Sequence, residues 1–281
     1  MTTFDEIYAD VPAEQRENLR RFRAENPPKT YHGWEYIDTG AGEQVLLLLV
    51  GGLRMADAAH RNIPLLTDAF RVIAPSYPAF STMAELSDGI AAILLHEGVS
   101  NVHVLAGSFG GMLAQVFVRR HRALVDKLVL STTAVLDDDT AARYRMALQM
   151  IEPLEQAQIT ELAQQMMFQI IAPPEDQHAF YAAYLKELYT YRVDKSALMS
   201  TYEALLDFAD NITLSPDDWD GETLVLESDD DGTFDEATRA RVRAVYPQAQ
   251  SYVFKNAGHS PASTQQELYF EVVKGFLKGD Q

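Results

Sequence analysis

Along the first half of the chain, short apolar runs alternate with helix-like segments, and this rhythm limits the possible folds more than any other pattern in the sequence. Each run is mostly apolar and bounded by turn residues, which is typical of strands buried on both faces of a sheet. The runs are VLLLLV (45–50), RVIA (71–74), NVHVLA (101–106) and KLVLS (127–131). Between them, a capping box at Thr82–Glu85 opens a helix that ends at Gly98. This order predicts an α/β fold with a mostly parallel central sheet and helices on both faces.

The rhythm changes in the second half of the chain. Helical periodicity dominates residues 137–210, where we expect no buried strand. The sheet pattern then resumes with TLVLE (223–227) and SYVF (251–254). We therefore expect one core domain, made of residues 1–136 and 211–281, that carries residues 137–210 as a helical insertion.

Three helices are predicted outside the insertion and the alternating region. The segment from Ala13 to about Ala24 is charged and helix-prone, and we interpret it as a surface helix without a chemical role. A second helix is expected near 235–245. A third is expected from about Thr264 to the end of the chain.

Composition excludes several kinds of partner. With 41 acidic and 23 basic side chains, the formal net charge is -18, which disfavours nucleic acid and anionic membranes as partners. The apolar run at 45–50 is too short to span a membrane, and the first residues do not resemble a signal peptide, so we expect a cytoplasmic enzyme of undetermined oligomeric state. The absence of cysteine excludes disulfides and a thiolate nucleophile. Without metal-ligand spacing or a dinucleotide motif, we expect no metal and no cofactor.

A serine lies in a glycine-rich turn directly after a predicted strand. The segment Ala106–Gly111 reads AGSFGG and connects the run NVHVLA to a helical segment. A serine at this position would lie at the carboxyl edge of the sheet, where ligands bind in open α/β folds. The segment matches the nucleophile elbow G-x-S-x-G, except that Ala106 replaces the first glycine. The alternative is an ordinary strand-to-helix turn in which Ser108 only caps the helix.

Two further loops place an acid and a histidine at the same edge. His259 follows the last predicted strand, within NAGHSP (256–261), and Asp231 follows TLVLE within SDDDG (228–232). A lone histidine is more often structural or merely exposed than catalytic, and an acid-rich loop is usually a solvated turn. Together, the chain order serine, acid, histidine predicts that Ser108 acts as nucleophile, His259 as its base and Asp231 as the group that orients the histidine.

With these three elements, the sequence resembles the α/β-hydrolase superfamily over nearly its whole length. By that resemblance, Ser228 stands in the glycine position of the motif L-V-x-x-G-x-x-D, and Asp231 is the acid. The neighbouring Asp229 and Asp230 remain alternatives for the acid. So does the cluster Asp137–Asp139, because some members place the acid after strand six. The segment 71–118 more narrowly resembles the maspardin-like branch, including Ser76-Tyr77-Pro78 where most members have Asp-x-Pro-Gly.

The resemblance also implies an oxyanion hole and a cap. One backbone N–H should come from Phe109, and the other from the loop after VLLLLV, where Gly52 is the expected donor and Leu53 the alternative. The helical insertion follows strand six, where members of the superfamily carry a cap over the active site. Methionine and aromatic residues in it suggest an apolar pocket for a small-molecule substrate.

The sequence therefore predicts a serine hydrolase that cleaves carboxylic esters of small, largely apolar substrates through an acyl-enzyme on Ser108. The same three side chains would also serve hydrolysis of a C–C bond, a lactone or an amide, or acyl transfer. A hypothesis of a different class is a non-catalytic, maspardin-like adaptor. Retention of all three side chains argues against the adaptor.

Overall fold

The structure is a computed structural model that describes residues 3–40 and 42–279. Over these residues it contains one sheet of eight strands: β1 (Lys29–Tyr31), β2 (Trp34–Asp38), β3 (Gln44–Leu49), β4 (Phe70–Ser76), β5 (Val102–Gly107), β6 (Val125–Ser131), β7 (Glu222–Ser228) and β8 (Gln250–Phe254). The α-helices are α1 (Phe4–Ile7), α2 (Ala13–Glu25), α3 (Met83–His96), α4 (Phe109–Arg120), α5 (Asp138–Ile151), α6 (Gln156–Ile171), α7 (His178–Glu187), α8 (Lys195–Asn211), α9 (Glu236–Val245), α10 (Pro261–Thr264) and α11 (Gln266–Lys278).

The strand order in the sheet is β1-β2-β4-β3-β5-β6-β7-β8. From β4 to β8 all neighbours are parallel, whereas β2 pairs antiparallel with both β1 and β4. This confirms the predicted mostly parallel α/β class. The six predicted strands are present, but the sequence pattern identifies neither β1 nor β2. Both are short, and exposed polar residues such as Lys29 and Glu35 interrupt their apolar character.

Parallel pairing brings the carboxyl ends of β5 to β8 to one edge of the sheet. Gly107 at the end of β5 is in register with Ser131 of β6, and Ser228 at the end of β7 is in register with Phe254 of β8. The loops after these strands carry Ser108, Asp231 and His259. Strand order alone therefore places three segments that are distant in sequence side by side.

Between β6 and β7 the chain forms helices α5 to α8 and a π-helical turn, Leu188–Arg192, with no strand among these described residues. We call this segment, residues 137–210, the insertion. Among helices in the described parts of the chain, none is long and apolar enough to cross a membrane.

The apolar side chains form two separate clusters. The larger surrounds the sheet and includes its buried strands together with α3, α4 and α11. The smaller is formed mainly by the insertion, and it also contains Tyr8, Val11 and Leu19 from the N-terminal segment. The predicted surface helix exists as α2, but Leu19 and Phe22 on its inner face are buried. The N-terminal helices therefore pack against the insertion as well as the core.

Candidate active site

Ser108 occupies the single residue between β5 and α4. Its backbone has φ +51° and ψ -122°, a conformation that is unfavourable for residues other than glycine. Neighbouring groups hold it in place: the Ser108 N–H donates to the Ser131 carbonyl at 3.1 Å, and the Thr133 hydroxyl donates to the Ser108 carbonyl at 2.8 Å. The strained turn fixes the direction of the hydroxyl at the edge of the sheet.

The small residues around Ser108 are required by close backbone contacts. A Cβ atom on Gly110 would lie 2.3 Å from the Leu49 carbonyl oxygen and 2.5 Å from that of Val50. On Gly111 it would lie 2.5 Å from the Thr133 side chain. Ala106, which departs from the G-x-S-x-G pattern, is fully buried within β5, and its methyl group fits the core.

The three predicted side chains meet. His259 Nε2 lies 3.1 Å from Ser108 Oγ, and His259 Nδ1 lies 3.0 Å from each carboxylate oxygen of Asp231. His259 and Asp231 are both buried. The ring of Phe234 packs edge-on against the imidazole, with 5.3 Å between ring centroids. The hydroxyl, the imidazole and the carboxylate thus form one continuous hydrogen-bonded chain.

The Asp231 carboxylate is held on its other side by backbone groups. Its Oδ1 accepts hydrogen bonds from the N–H groups of Thr233 at 2.8 Å and Phe234 at 3.2 Å. These bonds fix the plane of the carboxylate. The carboxylate can therefore orient the histidine and stabilise it when it is protonated.

The alternative acids have other contacts. Asp229 and Asp230 accept hydrogen bonds from backbone N–H groups of the histidine loop, but not from the imidazole. Asp137 caps α5 through the Thr140 N–H at 2.9 Å and pairs with Arg241 at 3.1 Å. Asp138 and Asp139 lie in the first turn of α5. Among these six candidates, all within the described residues, only Asp231 contacts His259.

The expected oxyanion donors are Phe109, which follows Ser108 in sequence, and Gly52 or Leu53 in the loop after β3. Phe109 is the first residue of α4, so its N–H has no acceptor within the helix. Gly52 and Leu53 line the cavity that contains Ser108 and His259. Two hydrogen bonds tighten the loop, from Arg54 N–H to the Gly51 carbonyl at 3.1 Å and from Met55 N–H to the Leu53 carbonyl at 2.8 Å.

The cavity beside Ser108 has a volume of about 200 Å³. Its roof comes from the insertion, through Met167, Ile170, Ile171 and Tyr181. The methyl group of Met167 would lie 3.9 Å from a Cβ atom on Gly52, so the insertion reaches the loop after β3. We call this loop, residues 50–55, the oxyanion loop, after its predicted role. Phe180 and Tyr184, on the same helix as Tyr181, instead pack in the apolar cluster of the insertion. The lining of the cavity is largely apolar, and its polar residues include Ser108 and His259.

A larger cavity of about 600 Å³ lies between α2 and the segment 60–67. It contains neither Ser108 nor His259, and its walls include charged residues such as Arg21 and Glu25. Size alone would favour this cavity as the substrate site, but the smaller one is lined by Ser108 and His259. Within the described residues, no group of three or more acidic, histidine or cysteine side chains is arranged to hold a metal ion.

Comparison with known proteins identifies the family of the chain. The sequence profile described as the alpha/beta hydrolase fold matches residues 44–264, which is more than three quarters of the chain. The chain belongs to the α/β hydrolase fold family. In this family member, the insertion lies after β6, as the resemblance implied.

Solved structures of low sequence identity share the fold. Carboxylesterase CesB from Bacillus subtilis is 17% identical and superposes with a TM-score of 0.72, covering 95% of this chain and 98% of CesB. The meta-cleavage product hydrolase CumD from Pseudomonas fluorescens IP01 is 20% identical, with a TM-score of 0.71 and coverage of 88% of this chain and 95% of CumD. At these identities the likeness establishes the fold.

Curated relatives match only in part. Human maspardin is 41% identical over 63 residues, which is 22% of this chain and 20% of maspardin. An uncharacterised protein of Mycobacterium tuberculosis is 26% identical over 148 residues, covering 48% of this chain and 43% of that protein. The chain thus spans less than half the length of these relatives. The maspardin match confirms the narrower resemblance over about a fifth of this α/β hydrolase.

Sequence patterns did not reveal the contacts that join the insertion to the core. Asp57, which is 7% exposed and lies just after the oxyanion loop, accepts hydrogen bonds from Arg23 of α2 and from Arg192 and Tyr184 of the insertion. Arg23 also pairs with Glu187 of the insertion at 2.9 Å. We call Arg23, Asp57, Glu187 and Arg192 the junction network.

The two arginines of the junction network keep the Asp57 carboxylate charged. Burial raises the pKa of Asp57, but Arg192 and Arg23 outweigh it and hold the pKa below its ordinary value. The partners are 34 and 135 residues away in sequence, so no local motif signals the network. Only the tertiary structure brings these charges together.

Arg54 is a second junction residue that no motif predicted. It is 2% exposed, and burial lowers its pKa to about 10. Its guanidinium donates to the Thr201 hydroxyl in α8 and to the carbonyls of Tyr77 and Pro78. Arg54 therefore ties the oxyanion loop both to the end of β4 and to the insertion.

Proposed function

We propose that the protein is a serine hydrolase that cleaves carboxylic esters of small, largely apolar substrates through an acyl-enzyme on Ser108. The observation that carries this proposal is the hydrogen-bonded chain from Ser108 Oγ through His259 to Asp231, with distances of 3.1 Å and 3.0 Å. Membership of the α/β hydrolase fold family supports hydrolase chemistry in general. The ester preference is inferred from the site.

In the first half of the reaction, Ser108 Oγ attacks the ester carbonyl carbon while His259 Nε2 accepts the hydroxyl proton. Asp231 stabilises the imidazolium that forms. The negative charge on the carbonyl oxygen is stabilised by the N–H groups of Phe109 and Gly52, each of which contributes about 2.7–4 kcal/mol in comparable sites. The tetrahedral intermediate then collapses, the alcohol leaves with the proton from His259, and Ser108 remains acylated.

In the second half, water replaces the alcohol. His259 removes a proton from the water as it attacks the acyl-enzyme, and the new intermediate collapses to release the carboxylic acid and restore the Ser108 hydroxyl. Activity should fall on acidification, because a protonated His259 cannot accept the serine proton. The cavity of about 200 Å³ and its largely apolar roof favour a short, uncharged acyl or alcohol group.

The test combines turnover and labelling. Purified protein should hydrolyse short p-nitrophenyl esters and react with a fluorophosphonate probe, and Ser108→Ala should abolish both. Ser100→Ala is the matched control, because Ser100 is exposed and precedes β5 at the opposite edge of the sheet. Unchanged turnover in Ser108→Ala would remove the proposal.

A comparison of substrates distinguishes ester hydrolysis from the other reactions that the same side chains could catalyse. Lactones, amides, C–C cleavage substrates and acyl acceptors should be compared with the esters, and a higher kcat/KM for any of them would change the proposed substrate class. The partial match to maspardin motivates the adaptor as the second candidate. An adaptor should not be labelled by the fluorophosphonate.

A further inference from the structure

The loop that carries His259 has an unusual backbone. Asn256 and Gly258 both adopt positive φ, at +51° and +61°, and they flank the buried Ala257. A non-glycine residue in this region is unfavourable unless surrounding contacts compensate. The position of His259 therefore depends on what holds the loop.

Three consecutive aspartates hold it, each through a different atom of the loop. Asp229 Oδ1 accepts the Asn256 N–H at 2.9 Å, and Asp230 Oδ1 accepts the Gly258 N–H at 2.8 Å. Asp231 then accepts a hydrogen bond from the imidazole Nδ1 of His259 itself. Of the two hydrogen bonds to the loop backbone, the one to Asp230 lies closer to His259 in sequence, because Gly258 directly precedes His259. The side chain of Asp230 does not contact the imidazole.

Ser228 orients Asp230. The Ser228 hydroxyl is buried and donates to Asp230 Oδ1 at 2.7 Å, so one carboxylate oxygen receives both the hydroxyl and the loop N–H. These two hydrogen bonds lower the pKa of Asp230. Ser228 stands where the family motif has glycine, and a glycine could not supply this hydrogen bond. The pair Ser228–Asp230 is thus a feature of this chain's own sequence.

We infer that Asp230, oriented by Ser228, is a positioning residue that holds the left-handed loop so that His259 stays within reach of Ser108. The inference rests on the proposed function for its kinetic consequence. Without the Asp230 carboxylate, the Gly258 N–H turns to water and the loop gains conformations in which the distance of 3.1 Å is lost. Substrate binding should be unaffected, because Asp230 is exposed and does not line the cavity.

The kinetic test compares two substitutions. Asp230→Ala should lower kcat on a p-nitrophenyl ester by about tenfold with KM little changed, as expected for loss of a charge-assisted hydrogen bond. Asp230→Asn retains a carbonyl acceptor for Gly258 and should recover most of that loss, whereas Ser228→Ala should lie between them. Asp217→Ala is the control, since Asp217 is equally exposed and its carboxylate has no hydrogen-bond partner among the described residues. Melting temperatures ensure that each variant is assayed while folded.

A second readout does not require activity. The hydrogen-bonded Nδ1 proton of His259 should give a downfield NMR signal, assigned by its loss in His259→Gln. Faster exchange with water should broaden this signal in Asp230→Ala but not in Asp230→Asn. If the wild type neither turns over esters nor reacts with fluorophosphonate, the proposed function fails and the NMR comparison still decides the positioning role. Wild-type kcat in Asp230→Ala, a change in KM alone, or equal impairment in Asp230→Asn would overturn the inference.

Discussion

The edge of the sheet and the junction network are held together in different ways. At the edge, Ser108, Asp231 and His259 are fixed by backbone groups and short loops at strand ends. At the junction, charged side chains from α2, from Asp57 just after the oxyanion loop and from the insertion meet in a largely buried site. In the first region the constraint is steric, because larger residues at Gly110 and Gly111 would clash with neighbouring atoms. The second depends on keeping positive and negative charges in balance.

The largest effect is expected when the charge balance of the junction is broken. Among the described residues, Asp57→Asn leaves Arg192 without its carboxylate partner and Arg23 with Glu187 alone, and removing one partner from a buried ion pair destabilises by about 3–5 kcal/mol. Urea unfolding measures the loss. Asp68→Asn is the matched control, because its pair with Lys274 is exposed and should contribute less than about 1 kcal/mol. Equal effects of the two substitutions would show that the junction is not charge-dependent.

A somewhat smaller effect is expected from crowding the edge of the sheet. Gly110→Ala places a methyl group against the Leu49 and Val50 carbonyls, so α4 must shift, at about 3 kcal/mol. Ester turnover should fall as well, because the shift moves Phe109 and Ser108. Gly275→Ala in α11 meets no atom within 4 Å and should be neutral or stabilising by up to about 1 kcal/mol. A Gly110→Ala protein as stable and active as the wild type would contradict the packing argument.

The smallest effect concerns acid stability at the junction. His60 is 6% exposed and packs between Phe22 and Phe180, and burial lowers its pKa to about 4. Between its ordinary value and this one, the unfolded chain binds a proton that the folded chain excludes. Stability contributed by neutral His60 is therefore present near neutrality and lost as the pH falls from about 6.5 to about 4.

The measurement is urea unfolding at about pH 7 and about pH 4.5, with His60→Gln as the comparison. The wild type should lose on the order of 2 kcal/mol more than the variant over this interval. Other acid-sensitive groups are common to both proteins and cancel in the difference. The same pH dependence in both would assign the acid sensitivity to other residues.

The sequence predicts one of these two regions far better than the other. Strand ends are visible as apolar runs followed by turn residues, so Ser108, Asp231 and His259 could be proposed together from their order in the chain. Their catalytic roles remain predictions, although the three side chains meet. The family motif predicts Asp231 as the acid but leaves Asp229 and Asp230 as alternatives, because the three are adjacent in sequence; the coordinates show that only Asp231, among these three, reaches the imidazole.

Residues of the junction have no comparable signal. Arg23 looks like one of many charges on a predicted surface helix, and its partners Asp57 and Glu187 lie in other elements. Arg54 reads as a solvated arginine, yet tertiary packing buries it. Long-range side-chain pairing of this kind leaves no periodic pattern, and neither do the short edge strands β1 and β2.

Most buried apolar residues of the insertion belong to the smaller cluster, whereas Ala204, Leu205 and Phe208 at the end of α8 pack in the larger one. A substitution at the roof of the cavity, in α6 or α7, changes the shape above Ser108 and lies outside the cluster that packs the strands. Selection for a new substrate can therefore act on one half of the molecule while the other keeps its geometry. Directed evolution of substrate preference would best begin with random changes at Met167, Ile170 and Tyr181, leaving the loops of β5, β7 and β8 untouched.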